Sequence, residues 1–198
     1  MGVDEDKRAT LRRFAAVGAA SPLVGLAGAS EGESEARDAI AGYLSTTPGA
    51  HFSKLRDDLK LGTGEAQHHV RRLVDAGAVE SYRDGDYRRF YAADAFSDFE
   101  KVALGYLRRE TPRAMLLALL RDPDASGAAL ADAAGVSRGT VSKYASELEA
   151  AGLLDRSDGY ALTRPETVLV LVLRFAESLG PAASAFARDA DALVSHDP

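Results

Sequence analysis

Three arginines crowd one short stretch of this chain: Arg83, Arg88 and Arg89, interleaved with Tyr82, Tyr87 and Tyr91. A guanidinium is a rigid planar fork that donates paired hydrogen bonds to phosphate or carboxylate oxygens. Upstream, Thr63, Gly64, Glu65, Gln67, His68, Arg71 and Arg72 fall within a ten-residue span. They offer donors and acceptors suited to reading polar edges. Ser137, Arg138, Thr140, Ser142 and Lys143 form a third group of the same character. This is the chemistry of binding, not of bond making. The chain has no cysteine, which removes thiolate nucleophiles, disulfides and thiolate metal sites. Among four histidines only His68 and His69 are close together, and neighbours on a helix point apart, a poor chelate. No Gly-rich phosphate loop follows a strand, and there is no HExxH motif or Ser/His/Asp set at informative spacing. The residues imply no enzyme, no cofactor and no metal.

The elements that must position these groups are legible in the apolar spacing. Ala36 to Ser45 has Ile40 and Leu44 one helical turn apart and is stopped by Pro48-Gly49. Ser53 is the expected cap of a short helix through Leu59, with Leu61-Gly62 as the turn. Thr63 is the expected cap of a third helix to about Ala76, closed by Gly77. On it Ala66, Val70, Leu73 and Val74 form one apolar stripe, leaving Glu65, Gln67, His68, Arg71 and Arg72 largely outside. A hairpin follows, Ala78 to Arg83 and Tyr87 to Ala92, joined across Asp84-Gly85-Asp86.

The same unit then recurs. Gly77 and Gly152 lie 75 positions apart, and the offset also relates Leu73 to Leu148, Gly64 to Gly139, Leu55 to Leu130 and Pro48 to Pro123. Apolar, glycine and proline positions repeat, whereas the outward positions Glu65/Thr140 and His68/Lys143 differ. A scaffold is repeated and a surface is varied, the mark of a recognition module. In the second copy Thr111-Pro112 opens a helix through Leu120, with Pro112 at the first helical position. Ser126 caps Gly127 to Ala134, Ser137 caps Arg138 to Ala151, and a short hairpin turns at Asp158-Gly159. Helix, helix-turn-helix and hairpin make a winged helix, in which the third helix enters the major groove and the hairpin flanks it. The expected fold is therefore mainly α with small β-hairpin wings, a tandem winged helix-turn-helix.

Pro48-Gly49-Ala50-His51-Phe52, Gly62-Thr63 followed by His69-Val70, and Tyr87-Arg88-Arg89-Phe90-Tyr91 carry a resemblance. The chain resembles the archaeal predicted transcriptional regulators with two winged helix-turn-helix domains, whose first domain has PGIHF, GTxxYHL and YRRYF patterns. His68 replaces the aromatic residue before the histidine of the second pattern. The second copy, Gly135 to Tyr144, is similar to repressor-type helix-turn-helices in general. The resemblance spans about residues 35 to 180 and implies sequence-specific binding of double-stranded DNA and control of transcription.

Charge qualifies that reading. The chain carries 30 acidic and 24 basic residues, net −6, where DNA-binding domains are commonly basic. Arginine far outnumbers lysine, and aspartate, alanine and glycine are abundant, a composition resembling salt-adapted (halophilic) proteins. Locally the balance reverses: between Lys60 and Tyr91 six basic residues face five acidic ones. The competing function is a winged-helix module that binds protein and not DNA, a reading the net charge favours.

The ends remain. Arg12-Arg13 precedes the uncharged stretch Phe14 to Ser30, ending in Ala27-Gly28-Ala29, and resembles a twin-arginine export signal. Phe14 directly after the pair, Pro22, and the shortness of the run favour an N-terminal arm of a cytoplasmic protein over a membrane anchor through residues 14–30. The expected organisation is an arm at 1–34 with an acidic linker at Glu31 to Glu35, a first winged helix at 35–95 and a linker helix at 96–110. A second winged helix at 111–164 and C-terminal helices at 165–198 complete it. Val168, Leu169, Val172, Phe175 and Leu179 follow helical spacing, with Val170, Leu171 and Leu173 widening the apolar surface. The segment Val168 to Leu173 is too short to span a membrane. It is expected to hold a homodimer together, with a fold-back onto the chain's own first domain as the alternative.

Overall fold

The computed structural model describes residues 2–19 and 31–190. They form two compact units, Met1–Ser97 and Asp98–Pro198.

The first unit contains α1 (Gly2–Ala19), α2 (Glu31–Thr46), β1 (Ala50–His51), α3 (Phe52–Asp58), α4 (Thr63–Asp75), β2 (Val79–Asp84) and β3 (Tyr87–Ala92). Its core gathers Ile40, Tyr43 and Leu44 of α2, Leu55 and Leu59 around α3, Ala66, Val70 and Leu73 of α4, and Val79 and Phe90 of the hairpin. This is the expected stripe of α4, buried as a stripe. Each fully buried leucine contributes about 1.5–3 kcal/mol, so the unit is held mainly by this cluster. The Tyr43 hydroxyl reaches Asp58 Oδ2 at 2.7 Å and ties α2 to the end of α3. The sheet has three strands in the order β1-β3-β2. The hairpin was legible in the sequence, but β1 was not. Two residues are too few to show a period, and Ala50 and His51 become a strand only by pairing with Phe90 and Arg89.

Helix α1 docks on α2 and runs antiparallel to it. Leu11 is buried in the core, and Phe14 meets Tyr43 edge-on at 5.3 Å between ring centroids. Gly18 lies against Asp38, and Gly42 against Phe14, so closely that a Cβ on either would strike backbone. Residues 31–35, expected as an acidic linker, instead open α2, because carboxylates suit the positive end of a helix dipole. Of the stretch expected to be arm or anchor, residues 14–19 belong to α1 and 20–30 lie outside the described residues. Among the described residues no helix is long and apolar enough to cross a membrane.

The second unit contains α5 (Asp98–Leu107), α6 (Glu110–Arg121), α7 (Gly127–Ala134), α8 (Arg138–Ala150), β4 (Leu154–Asp155), β5 (Ala161–Leu162), α9 (Pro165–Leu179) and α10 (Pro181–Asp189). Leu104, Leu107, Met115, Leu116, Leu119, Leu130, Val141, Leu148, Val172 and Phe186 are buried in it. The segment expected as a linker helix is α5, which packs on α6 and α9. Arg108 fixes it further by donating to the Ser178 carbonyl of α9. The last helix, α10, packs on α9 and α6, within its own unit. Of the C-terminal helices expected at 165–198, residues 191–198 lie outside the described residues. With α5 and α10 in place, α9 buries Val168, Leu171, Val172, Phe175 and Leu179, leaving Val170 and Leu173 exposed.

The repeated glycines do the same work in both units. Gly77 and Gly152 adopt left-handed φ values of 70° and 72° just past α4 and α8, a conformation glycine takes without a Cβ clash. Helix starts differ from expectation in three places. Ser53 and Thr63 lie inside their helices, because His51 and Gly62 take the capping positions. Pro112 is the third residue of α6, which starts at Glu110. Ser126 and Ser137 cap as expected, accepting from the Ala129 and Thr140 amides at 3.3 and 3.2 Å.

Candidate nucleic-acid interface

In the first unit, α3 leads through a short turn into α4 and shares its buried core, and the β2-β3 hairpin follows as a wing. Thr63 and Gly64 are exposed in the first turn of α4, followed by exposed Gln67 and His68 and, a turn later, exposed Arg71 and Arg72. On the wing Arg83, Tyr87 and Arg88 are exposed. Between α4 and β3 runs a groove of about 550 Å³. Phe52, Val70, Val74 and Phe90 supply its apolar lining, while Gln67, Arg71, Asp75 and Arg88 supply the polar one. Arg88 of the wing thus converges with Gln67 and Arg71, one turn apart on α4. The Arg88 guanidinium stands 5.5 Å from the Phe90 ring centroid, and Arg71 Nε is 3.8 Å from Asp75 Oδ2 at the surface.

Arg89 is the correction within the wing. Its position in β3 turns it inward, and it is 3 % exposed. Nε donates to Asp84 Oδ2 at 2.5 Å and Nη1 to the Gly49 carbonyl at 3.0 Å. Strand residues alternate between faces, so Arg88 and Arg89 could not both point outward. Arg89 braces the wing against the turn before β1, and the sequence pattern Arg-Arg hid that division of labour.

Glu65 is also less free than its place on α4 suggests. Its Oε2 accepts from the Gly62 amide at 3.1 Å, closing the start of the helix. Both of its oxygens accept from Lys7 Nζ of α1, at 3.0 and 2.8 Å. Burial alone would raise this carboxyl, but the Lys7 and Gly62 hydrogen bonds and the Lys7 charge outweigh it and hold the group below its ordinary value. Nearby, Lys60 Nζ lies 3.5 Å from Asp6 Oδ2. Sequence reasoning missed Lys7 and Asp6. The spacing of Leu11, Phe14 and Gly18 along one helical face was the available signal that α1 docks.

His68 and His69 diverge: His68 is exposed, His69 buried, and their rings meet edge-on at 5.2 Å. His51 lies beside the wing, its ring 5.8 Å from that of Tyr87. Its Nδ1 accepts from the Lys54 amide at 3.3 Å as the cap of α3. Burial, then the charges of Arg89 and Lys54, push its pKa below the ordinary 6.5.

In the second unit α8 presents exposed Ser137, Arg138, Ser142 and Lys143, with Thr140 half-buried. Thr140 Oγ1 sits 3.0 Å from Ser137 Oγ, so this pair is engaged in capping. Lys143 Nζ lies 3.9 Å from Glu147. The wing here is short. Its arginine, Arg156, folds back to donate to Ser146 Oγ at 2.8 Å and lies 3.6 Å from Glu149. The two units thus share a scaffold and differ in charge: the first offers an arginine-bearing wing, and the second offers mainly its helix.

Comparison with known proteins matches this division. Residues 34–104 match the family model described as an N-terminal HTH domain, and residues 108–155 match the winged helix-turn-helix DNA-binding family. An uncharacterized HTH-type transcriptional regulator of Methanocaldococcus jannaschii is 29 % identical over 89 residues, covering 45 % of this chain and 22 % of the relative. The chain therefore aligns with about a fifth of that protein's length. No solved structure matches. Fold, repeat and both matches agree: the chain carries two winged helix-turn-helix domains in tandem, the first similar to an N-terminal HTH domain and the second similar to the winged helix-turn-helix DNA-binding family.

Proposed function

We propose that this chain is a sequence-specific transcriptional regulator of double-stranded DNA and not an enzyme. The observation that carries this is the convergence of Gln67, Arg71 and Arg88 on one groove between the reading helix and the wing. Arginine on the wing supplies affinity through phosphate, and side chains on the helices supply sequence through base edges. Gln67 suits adenine and Arg138 suits guanine. Because the equivalent positions of the two units differ, the units read different half-sites, and the site per chain is asymmetric or composite. Selection from random duplex DNA, with footprinting on the protein's own promoter, tests this. An enriched asymmetric site that relaxes in Gln67→Ala and Arg138→Ala is the expected result. Failure of the wild-type protein to enrich any sequence would sink the reading and favour protein binding instead.

Several finer features belong to the same reading. The work is cytoplasmic, where the DNA is, and cell fractionation checks it. The acidic, arginine-rich composition fits an archaeal, halophilic setting, so folding and binding persist at molar salt, measurable by circular dichroism in potassium chloride. Exposed Val170 and Leu173 on α9 support a homodimer, which would align several reading helices on one duplex. Light scattering at micromolar concentration decides this, and a monomer ends the dimer reading.

A further inference from the structure

The amino-terminal end of α1 meets the amino-terminal end of α4. Glu65 is the third residue of α4, on the turn that a winged helix inserts deepest into the major groove. An unengaged carboxylate there would accept a hydrogen bond from a cytosine amino group, and near the backbone it would repel phosphate. Lys7 alters both properties. Its ammonium spans the two Glu65 oxygens at 3.0 and 2.8 Å while Oε2 also accepts from the Gly62 amide. The carboxylate is thereby neutralised and its acceptor capacity largely taken up from within the protein.

The contact is built, not incidental. A partly exposed ion pair is too weak to place a helix by itself. Helix α1 is placed by buried Leu11, by Phe14 on Tyr43, and by the backbone approach at Gly18 and Gly42. Arg12 lies 3.5 Å from Glu35 and Lys60 lies 3.5 Å from Asp6, exposed pairs that accompany this placement and do not set it. The second unit shows what the position does without α1. Thr140, which repeats Glu65, is engaged among the described residues with its own cap residue Ser137.

We propose that Lys7, delivered by α1, is a specificity-determining residue of the first unit: it holds Glu65 in its capping pose and keeps it from reading cytosine, leaving Gln67 and His68 to read bases. This rests on the DNA-reading function above. It makes the N-terminal helix part of the reading apparatus and Lys7 a positioning residue for α4.

The test uses the full chain as wild type, Lys7→Ala, Lys7→Arg and the Lys7→Ala/Glu65→Gln double variant, each passed through selection from random duplex DNA. Wild type and Lys7→Arg should return the same site, since arginine can also span the two Glu65 oxygens. Lys7→Ala should gain a preference for cytosine at one position of the first half-site, about five-fold or more. The double variant should lose it. Loosening of α1 alone would lower affinity without creating a new base preference. A Lys7→Ala site identical to wild type, or a double variant that keeps the cytosine preference, overturns the proposal. NMR titration of the Glu65 carboxyl gives a readout independent of DNA: Lys7→Ala should raise its midpoint, and an unchanged midpoint overturns the proposal even where DNA is bound. If wild type enriches no sequence, the DNA-reading function fails and this inference fails with it.

Discussion

Asp84 and Arg89 close the base of the first wing: the guanidinium Nε donates to Asp84 Oδ2 at 2.5 Å, and both side chains are nearly sealed from solvent. Next to it in the same strand, Arg88 faces outward over the groove. Two adjacent arginines of identical chemistry therefore have separable consequences.

Replacing Arg88 by alanine should leave the melting temperature unchanged and reduce the salt dependence of DNA binding by about one unit of slope, the loss of one phosphate contact. Replacing Arg89 by alanine should cost about 3 kcal/mol of stability, because it removes the guanidinium that pairs with Asp84 in a nearly sealed site. Thermal unfolding combined with binding at several salt concentrations separates the two. Equal effects from both substitutions would contradict the division of labour.

Docking of α1 should fail in Gly42→Ala. The new Cβ would strike the Phe14 carbonyl and the Gly18 amide, and backbone cannot yield as a flexible side chain would. Overpacking of this kind costs about 1–3 kcal/mol. The expected sign is faster tryptic cleavage at Lys7, Arg8, Arg12 and Arg13 while the rest of the unit stays folded. An unchanged cleavage rate would show that the close approach does not hold α1.

His51 should make the protein less stable in mild acid. Its Nδ1 must be unprotonated to cap α3, and burial with the Arg89 and Lys54 charges lowers its folded pKa from 6.5. A group that binds its proton less readily when folded contributes stability that is full above 6.5 and is lost as pH falls through its lowered folded value. His51→Asn keeps a good cap without titrating. Between pH 7 and 5 its stability should fall less steeply than that of wild type; parallel curves would exclude His51 as the cause.

Capping can be checked by contrast. Ser126→Ala and Ser137→Ala should each cost about 1 kcal/mol, since each removes an acceptor from a helix start. Ser53→Ala and Thr63→Ala should stay within about 0.5 kcal/mol, because neither occupies a cap. Denaturant midpoints for the four variants decide it, and a large loss at Ser53 would restore it as the cap.

What the amino-acid sequence determined by itself was everything local and periodic. The stripe of Ala66, Val70 and Leu73, the glycines at 77 and 152, and the Ser126 and Ser137 caps fix helices, ends and the repeat, because each depends on neighbours a few residues away. Tertiary structure alone decided the features that depend on distant partners. Which of Arg88 and Arg89 faces solvent follows from the pairing of β3 with β1 and β2, and a one-residue slip of register would exchange them. Whether Glu65 is available follows from Lys7, 58 residues away, which reaches it only because α1 seats on α2. Composition shows that an arginine or a glutamate is present; burial and long-range ion pairing decide whether it is offered to a partner or spent within the fold.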